Sequence, residues 1–264
     1  MLWKCWRDLR ITFFVGLGWL ALLAVGALWN LLRGAGISHT VVATPDQAFK
    51  VVVVYFSIQT FFFTILALSM GTFGVGRDLG NGAGSFLLTR PIPRAYFVWT
   101  EWFSGLLALS ALLLLSILGL WLAIRCHAFG AVYFTHSGEP PTPHTWTLAS
   151  LPTGAAAIDV LCAFLFVALV FALTHLGTVV FRHSTAGLLF CLSFLLAWLI
   201  TTAILHHEAP WLAARIPDLL LRPFGSDLDH MRLIPHAAAS ILERLAILPL
   251  FPLLAHFFLR RAEV

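Results

Sequence analysis

Long apolar stretches alternate with short polar segments along the whole chain, and this alternation predicts the architecture. Six stretches are about as long as a helix that crosses a bilayer. The predicted spans cover residues 11–32, 51–76, 102–124, 160–181, 185–205 and 237–259. The last is the least uniform, because it contains Glu243 and Arg244 and then Pro249 and Pro252. The pattern predicts an all-α, polytopic membrane protein with six transmembrane helices in a single domain over residues 1–264.

The composition supports this prediction. Apolar residues make up 60% of the chain and charged residues only 11%, and the mean hydropathy is +0.91. A soluble domain carries about a quarter charged residues. The first apolar run is too long for a signal-peptide core and no small-residue cleavage pattern follows it, so we interpret it as a retained span. The four cysteines form no C-x-x-C pair, which argues against a disulfide framework or a zinc site.

The distribution of Lys and Arg predicts the orientation. Segments 1–10, 77–101, 182–184 and 260–264 fall on one side of the predicted membrane and hold nine cationic residues against four acidic ones. The opposite side holds seven cationic and eight acidic residues over longer loops. Because cytoplasmic loops carry the excess of Lys and Arg, we expect a protein integral to the plasma (bacterial inner) membrane with both termini in the cytoplasm.

Two flanking segments have amphipathic patterns of their own. In residues 1–10, Leu2, Trp6 and Leu9 share one helical face, which predicts an N-terminal interfacial helix. The alternative is a plain cationic flank without a helix. Residues 206–236 are too apolar for a free loop and too short to span, and prolines interrupt them. This segment predicts one or two short re-entrant helices on the outer side.

One polar stretch, "GRDLGNGAGSFLLTRPIPRAYF" at residues 76–97, separates two apolar runs. Its glycines do not form a phosphate-binding loop, since they follow a membrane helix and no lysine is near. A plain cytoplasmic connector would explain the arginines but not the order of the parts. The segment "SFLLTR" can form a short helix that ends before Pro91, because a residue before proline avoids the helical region. Such a helix below two spans is suited to contact a soluble partner.

This stretch resembles the loop between the second and third helices of ABC transporter permeases of the type-2 exporter family. That loop has a charged pair, then Gly-Thr, Phe-Leu-Leu, a small polar residue, and Pro-x-Ser-Arg before a helix. The residues that match are Arg77 and Asp78 as the charged pair, Gly82, Phe86, Leu87, Leu88, Pro91 and Arg94. Ser85 and Pro93 stand where glutamate and serine are common. The N-terminal "LWKCWRDLR" and six spans with both ends inside also resemble this family.

The resemblance implies a permease subunit that is not itself an enzyme. It would pair with a second permease subunit, identical or related, and with two copies of a separate ABC ATPase. ATP and Mg would bind to that ATPase, with no cofactor in this chain. A cytoplasmic coupling helix within residues 77–96 would enter a groove of the ATPase, and residues 206–236 would form an outer helical hairpin. The implied ATPase contacts are Arg77, Asp78, Gly82, Phe86, Leu87, Leu88, Arg90, Pro91 and Arg94. Membrane lipid is the other expected partner, and no nucleic acid is expected.

Four ionisable residues inside the predicted spans are candidates for a substrate path, since such residues are often functional. They are His175, His256, Glu243 and Arg244. A neutral histidine bonded to a neighbouring helix is the alternative for the first two. The last two would otherwise pair with other residues or lie at the outer headgroups.

Other functions remain open at this point. The chain could be a membrane scaffold or channel subunit without an energy source, and co-purification of an ATPase would distinguish this from an exporter. The eleven histidines also suggest a metal-binding membrane protein. His206 and His207 are adjacent, however, and adjacent helical residues point about 100° apart, so we expect no metal site. Spans rich in Leu, Phe, Ala and Val suit a lipidic or amphipathic substrate, or a narrow closed pathway.

Overall fold

The computed structural model describes residues 2–34, 41–42, 45–81, 93–125, 132–134, 142–143, 153–208, 226–227, 232–233 and 237–261. The helices in these ranges are α1 (Leu2–Gly34), α2 (Pro45–Gly71), α3 (Val75–Gly80), α4 (Arg94–Arg125), α5 (Thr153–Phe181), α6 (Ser184–Glu208), α7 (Ala237–Ile247) and α8 (Leu250–Arg261). The strands are β1 (Val41–Val42), β2 (Val132–Phe134), β3 (Thr142–Pro143), β4 (Ser226–Asp227) and β5 (Arg232–Leu233). The fold is therefore helical, with strands of only two or three residues.

The strands form two small sheets within the connections. In the first, β2 lies between β1 and β3, with Val41 opposite Val132 in a parallel pair and Tyr133 opposite Pro143 in an antiparallel pair. In the second, β4 and β5 are antiparallel, with Ser226 opposite Leu233.

Five helical segments are long and apolar enough to cross a membrane. They are Trp3–Gly26, Ala95–Leu122, Ile158–Phe181, Ser184–Leu205 and Ile241–Arg261. They agree with five of the six predicted spans, so the chain is a polytopic helical membrane protein. The remaining predicted span, 51–76, corresponds to α2, whose described apolar part is the shorter segment Ser57–Gly71.

Residues 2–10, which were predicted to form an N-terminal interfacial helix, are helical and continue directly into the first span. Helix α1 runs without a break from Leu2 to Gly34. The physical reason is that no proline or glycine occurs before Gly16, so nothing in the sequence ends the first turns of the helix. Residues 2–10 are therefore the first turns of the helix that forms the first span.

The last span is interrupted where the sequence places a proline. Helix α7 ends at Ile247 and α8 begins at Leu250, with a turn at Leu248 and Pro249. Proline has no N–H to donate and its ring clashes with the preceding turn. Pro252 is tolerated because it lies in the first turn of α8, where N–H groups have no partner within the helix.

The predicted outer hairpin at 206–236 is described only in part. Residues 206–208 continue α6, and β4 pairs with β5 in antiparallel orientation. The helices expected around Leu212 and Leu219 lie outside the described residues.

Helix α5 is the centre of the bundle and packs against α2, α3, α4, α6, α7 and α8. Within its span 78% of the residues are buried, compared with 6% in the span of α6. The polar residues Thr174, His175 and Thr178 of α5 are among those buried, as expected for polar groups that face the interior of a membrane bundle. Small side chains at Ala163, Ala168 and Ala172 let its neighbours approach closely.

Seven of the described helices meet at one end of the bundle, and we call this end of the bundle the charged end. The starts of α1 and α4 meet α3 there through Lys4, Asp78 and Glu101. The end of α8 packs against α4 and α5 through Leu259, Val98 and neighbouring apolar side chains. The end of α2 and the start of α6 adjoin α3 and α5 in the chain. This arrangement agrees with the predicted grouping of the cationic segments on one side.

Candidate functional site

Four ionisable side chains from three helices meet at the charged end, and we call them the charge cluster: Lys4, Asp8, Asp78 and Glu101. The ammonium of Lys4 donates a hydrogen bond to Asp78 Oδ2. It lies 3.7 Å from Glu101 Oε1 and 4.0 Å from Asp8 Oδ2. Arg7 Nε lies 3.6 Å from Asp8 Oδ1, although its side chain is mostly exposed. Three carboxylates therefore share one partly buried lysine, and the cluster ties α3 to α1 and α4.

Glycine positions Glu101 in this cluster. Gly74 lies just before α3 with φ +105°, a conformation that side chains disfavour. A Cβ at Gly74 would also overlap the carboxylate of Glu101. The carboxylate of Glu101 is therefore seated against the backbone at the α2–α3 turn, and its side chain is only 8% exposed.

Helix α3 also packs directly on the backbone of α5. A Cβ added to Gly76 would overlap the carbonyl oxygen of Thr178 and come within 2.7 Å of the Val179 nitrogen. At Gly80 it would overlap the carbonyl oxygen of Arg182. One turn earlier, Thr178 Oγ1 donates a hydrogen bond to the Gly71 carbonyl oxygen at 3.1 Å. The end of α2 thus contacts α5 through threonine side chains, and α3 approaches the backbone of α5 and of the following residue directly at Gly76 and Gly80.

A small cavity with both polar and apolar lining adjoins the charge cluster. It has a volume of about 20 Å³, and Asp8, Glu101, Ser104 and His175 contribute its polar lining. Apolar side chains of Leu9, Met70, Phe73 and Phe171 complete the wall. The cavity connects the cluster to the central helix α5.

The predicted ATPase contacts are only partly within the described residues. Arg77 and Asp78 lie on α3, where Asp78 bonds Lys4 and the Arg77 guanidinium lies 5.3 Å from the centre of the Phe73 ring. Arg94 is the first residue of α4. The other implied contacts lie outside the described residues: Gly82, Phe86, Leu87, Leu88, Arg90 and Pro91.

The four candidates for a substrate path are not brought together. Glu243 is exposed on α7, whereas the adjacent Arg244 is 1% exposed and donates a hydrogen bond from Nη1 to the Cys162 carbonyl oxygen at 3.0 Å. His175 lines the cavity at the charged end. His256 is half-buried on α8. The structure thus places Arg244 as a link between α7 and α5, apart from His175.

Sequence reasoning did not find Lys4, Asp8, Glu101 and Gly74 as site residues. The charged three were assigned only to the cationic flanks, and their meeting depends on how α1 and α4 cross. One signal was available, since Glu101 is an acid beside an apolar run, where a charge requires a partner. Within the described residues no group of three or more His, Cys, Asp and Glu side chains is arranged to hold a metal ion.

The fold and the site define a polytopic helical membrane protein whose charged end joins several helices. No protein-family model matches the chain. No curated protein is significantly similar to it in sequence.

Proposed function

We propose that this chain is the membrane-spanning permease subunit of an ATP-driven exporter of the ABC type-2 class. The observation that carries the proposal is the anchoring of α3, which begins the segment that resembles the ATPase-contacting loop. Asp78 holds α3 to α1, Glu101 on α4 abuts Gly74 just before it, and Gly76 packs on α5. A force applied to the loop after α3 would therefore reach three helices at once, which is what coupling to an ATPase requires.

In this proposal α2 is the sixth span. Its 27 residues would extend about 40 Å at 1.5 Å per residue, which exceeds the hydrocarbon thickness of about 30 Å. The charged end faces the cytoplasm, because the positive-inside rule favours the side with nine cationic residues. Both termini are then cytoplasmic, in a bacterial inner membrane.

The proposed complex contains two permease subunits and two copies of a separate ATPase, which binds ATP and Mg. In this proposal the substrate pathway lies between the two permease subunits, closed on the outer side by residues 206–236. Two of the cavities among the described residues hold about 10 and 20 Å³, which is room for about one water each and too little for a lipidic or amphipathic substrate.

The loop after α3 provides the test. In the proposal Phe86, Leu87 and Leu88 form the apolar surface that enters the ATPase, and Arg90, Pro91 and Arg94 orient it. A few apolar anchors usually carry most of the binding energy of such an interface, and charges at its rim contribute less. Replacing Phe86 and Leu87 by Ala should therefore reduce ATPase co-purification at least tenfold, while membrane insertion stays unchanged.

The matched control removes the same two side-chain types elsewhere. Phe103 and Leu107 are exposed on α4, 58% and 72% respectively, and their double Ala variant should retain the ATPase. The ATPase itself is identified by capturing the wild-type chain from its native membrane and assaying ATP hydrolysis. If no ATPase is captured with the wild-type chain, the scaffold or channel alternative replaces the exporter. Unchanged capture in the Phe86/Leu87 variant would show that the loop is only a connector.

A further inference from the structure

His175 has a buried ring nitrogen without a described partner, at the charged end of the bundle. Its side chain is 2% exposed, and its Nε2 has no hydrogen-bond partner among the described residues. The ring stacks on Phe171, with centroids 6.1 Å apart. A buried polar atom without a partner destabilises a fold. The Nε2 atom therefore points to a ligand that is small enough to reach it.

The cavity beside His175 has the room and the chemistry for such a ligand. Its volume is about 20 Å³, whereas one water molecule needs roughly 10–15 Å³. A buried water makes about three hydrogen bonds to polar groups, and Asp8, Glu101 and Ser104 line the same cavity. An apolar void of the same volume would stay dry, because it offers a water no hydrogen-bond partners.

Glu101 is the better of the two carboxylates as the second partner. Its side chain is more deeply buried, 8% exposed against 20% for Asp8. Gly74 also fixes its position, because a Cβ there would overlap the carboxylate. A carboxylate accepts several hydrogen bonds, so Glu101 can accept one from a water molecule as well as its contact with Lys4 at 3.7 Å.

We propose that this cavity is a binding site for a single water molecule that bridges His175 Nε2 and the Glu101 carboxylate. In this proposal His175 is the Nδ1–H tautomer, so Nε2 accepts one hydrogen of the water and the Glu101 carboxylate accepts the other. The bridge joins α5 to α4 and extends the charge cluster to the central helix. His175 is then a positioning residue. If the proposed function holds, the bridge also transmits movement of the charge cluster to α5; this consequence rests on the proposed function.

A double-mutant cycle on the chain alone, in lipid nanodiscs, tests the bridge. His175→Phe keeps the aromatic ring and removes Nε2, and Glu101→Met keeps the side-chain length and removes the carboxylate. An unbonded Nε2 predicts that His175→Phe raises the midpoint of thermal unfolding. A bridged Nε2 predicts that it lowers the midpoint by about 2–4 °C, and that this loss is at least halved when Glu101→Met is already present.

His256 supplies the matched control. It also has a ring nitrogen, Nδ1, without a hydrogen-bond partner in the described part of the chain, but it does not line this cavity. His256→Phe should therefore show no coupling to Glu101→Met. A raised midpoint for His175→Phe, or additive effects with Glu101→Met, would overturn the bridge.

A measurement on the wild-type chain covers the case in which a variant does not fold. With ¹⁵N-labelled histidine, His175 should show a cross-peak between its ring and a slowly exchanging water, and absence of that peak also overturns the bridge. Neither experiment involves an ATPase. The water site can therefore fail while ATPase capture succeeds, and the reverse.

Discussion

Replacing Gly76 by Ala is the most direct perturbation of the contact between α3 and α5. The new Cβ would overlap the carbonyl oxygen of Thr178 and lie 2.7 Å from the nitrogen of Val179. Both are backbone atoms of a buried helix, so they cannot rotate away as a side chain would. The two helices must therefore separate.

The expected magnitude follows from two opposing effects. Ala is favoured over Gly in a helix by about 0.8–1.0 kcal/mol. Overpacking a close contact costs about 1–3 kcal/mol, and the upper half of that range applies where the obstacle is backbone. We therefore expect Gly76→Ala to lower the free energy of unfolding by about 1–2 kcal/mol. Each kcal/mol corresponds to about 2–4 °C in the unfolding midpoint for a chain of this size.

The matched control is Gly18→Ala on α1. Among the described residues, nothing beyond the chain neighbours and the backbone of α1 itself lies within 4 Å of the Cβ position at Gly18, so only the helix preference remains and the midpoint should rise. Thermal unfolding in the same detergent, followed by tryptophan fluorescence, compares the two variants. If Gly76→Ala is as stable as Gly18→Ala, α3 does not lie against α5 as described, and the anchoring argument for coupling fails with it.

Two further predictions concern the α5–α6 turn and α7. Arg182 has φ +54°, a left-handed conformation that costs a non-glycine residue about 1–2 kcal/mol. Arg182→Gly should therefore raise the unfolding midpoint. A lower midpoint would mean that the arginine side chain stabilises the turn by more than this strain. Arg244→Ala removes a fully buried side chain that bonds the Cys162 carbonyl and should cost about 3–5 kcal/mol, whereas Ala at the exposed neighbour Glu243 should change stability by about 0.5 kcal/mol or less in the same unfolding assay. Equal losses of unfolding free energy at the two positions would contradict the conclusion that Arg244 is buried and Glu243 is exposed.

Hydropathy predicted the spans because it is a property of each side chain and does not depend on which helices pack together. Five predicted spans coincide with long apolar helices, and the break in the last one falls at Pro249, which the sequence marks locally. The helix predicted at residues 1–10 is present but continues into the first span, because an amphipathic pattern does not fix where a helix ends. Only a breaker or a cap does so, and none separates these residues from the first span.

The charge cluster could not be predicted in the same way. Lys4, Asp78 and Glu101 are far apart in sequence, and each alone is an ordinary residue of a charged flank. Which of them meet depends on the positions of α1, α3 and α4 around α5. Gly76 has the same limitation, since a glycine in sequence does not reveal whether a backbone lies against it. The sequence predicted that the charged flanks lie at the same end of the bundle. It did not predict which charged side chains contact one another there.

The means by which α3 is held bears on how it can act. A helix of six residues does not form on its own in water, so α3 depends on its neighbours for its shape. The ion pair of Lys4 and Asp78 contributes only modestly, because both side chains remain about 20% exposed. The backbone contact at Gly76 is of short range and does not depend on a flexible side chain. A displacement of the following loop would therefore move α3 and the end of α5 together instead of bending one against the other. In this arrangement the glycines make the contact rigid, and the charge cluster determines which neighbouring helices move with it.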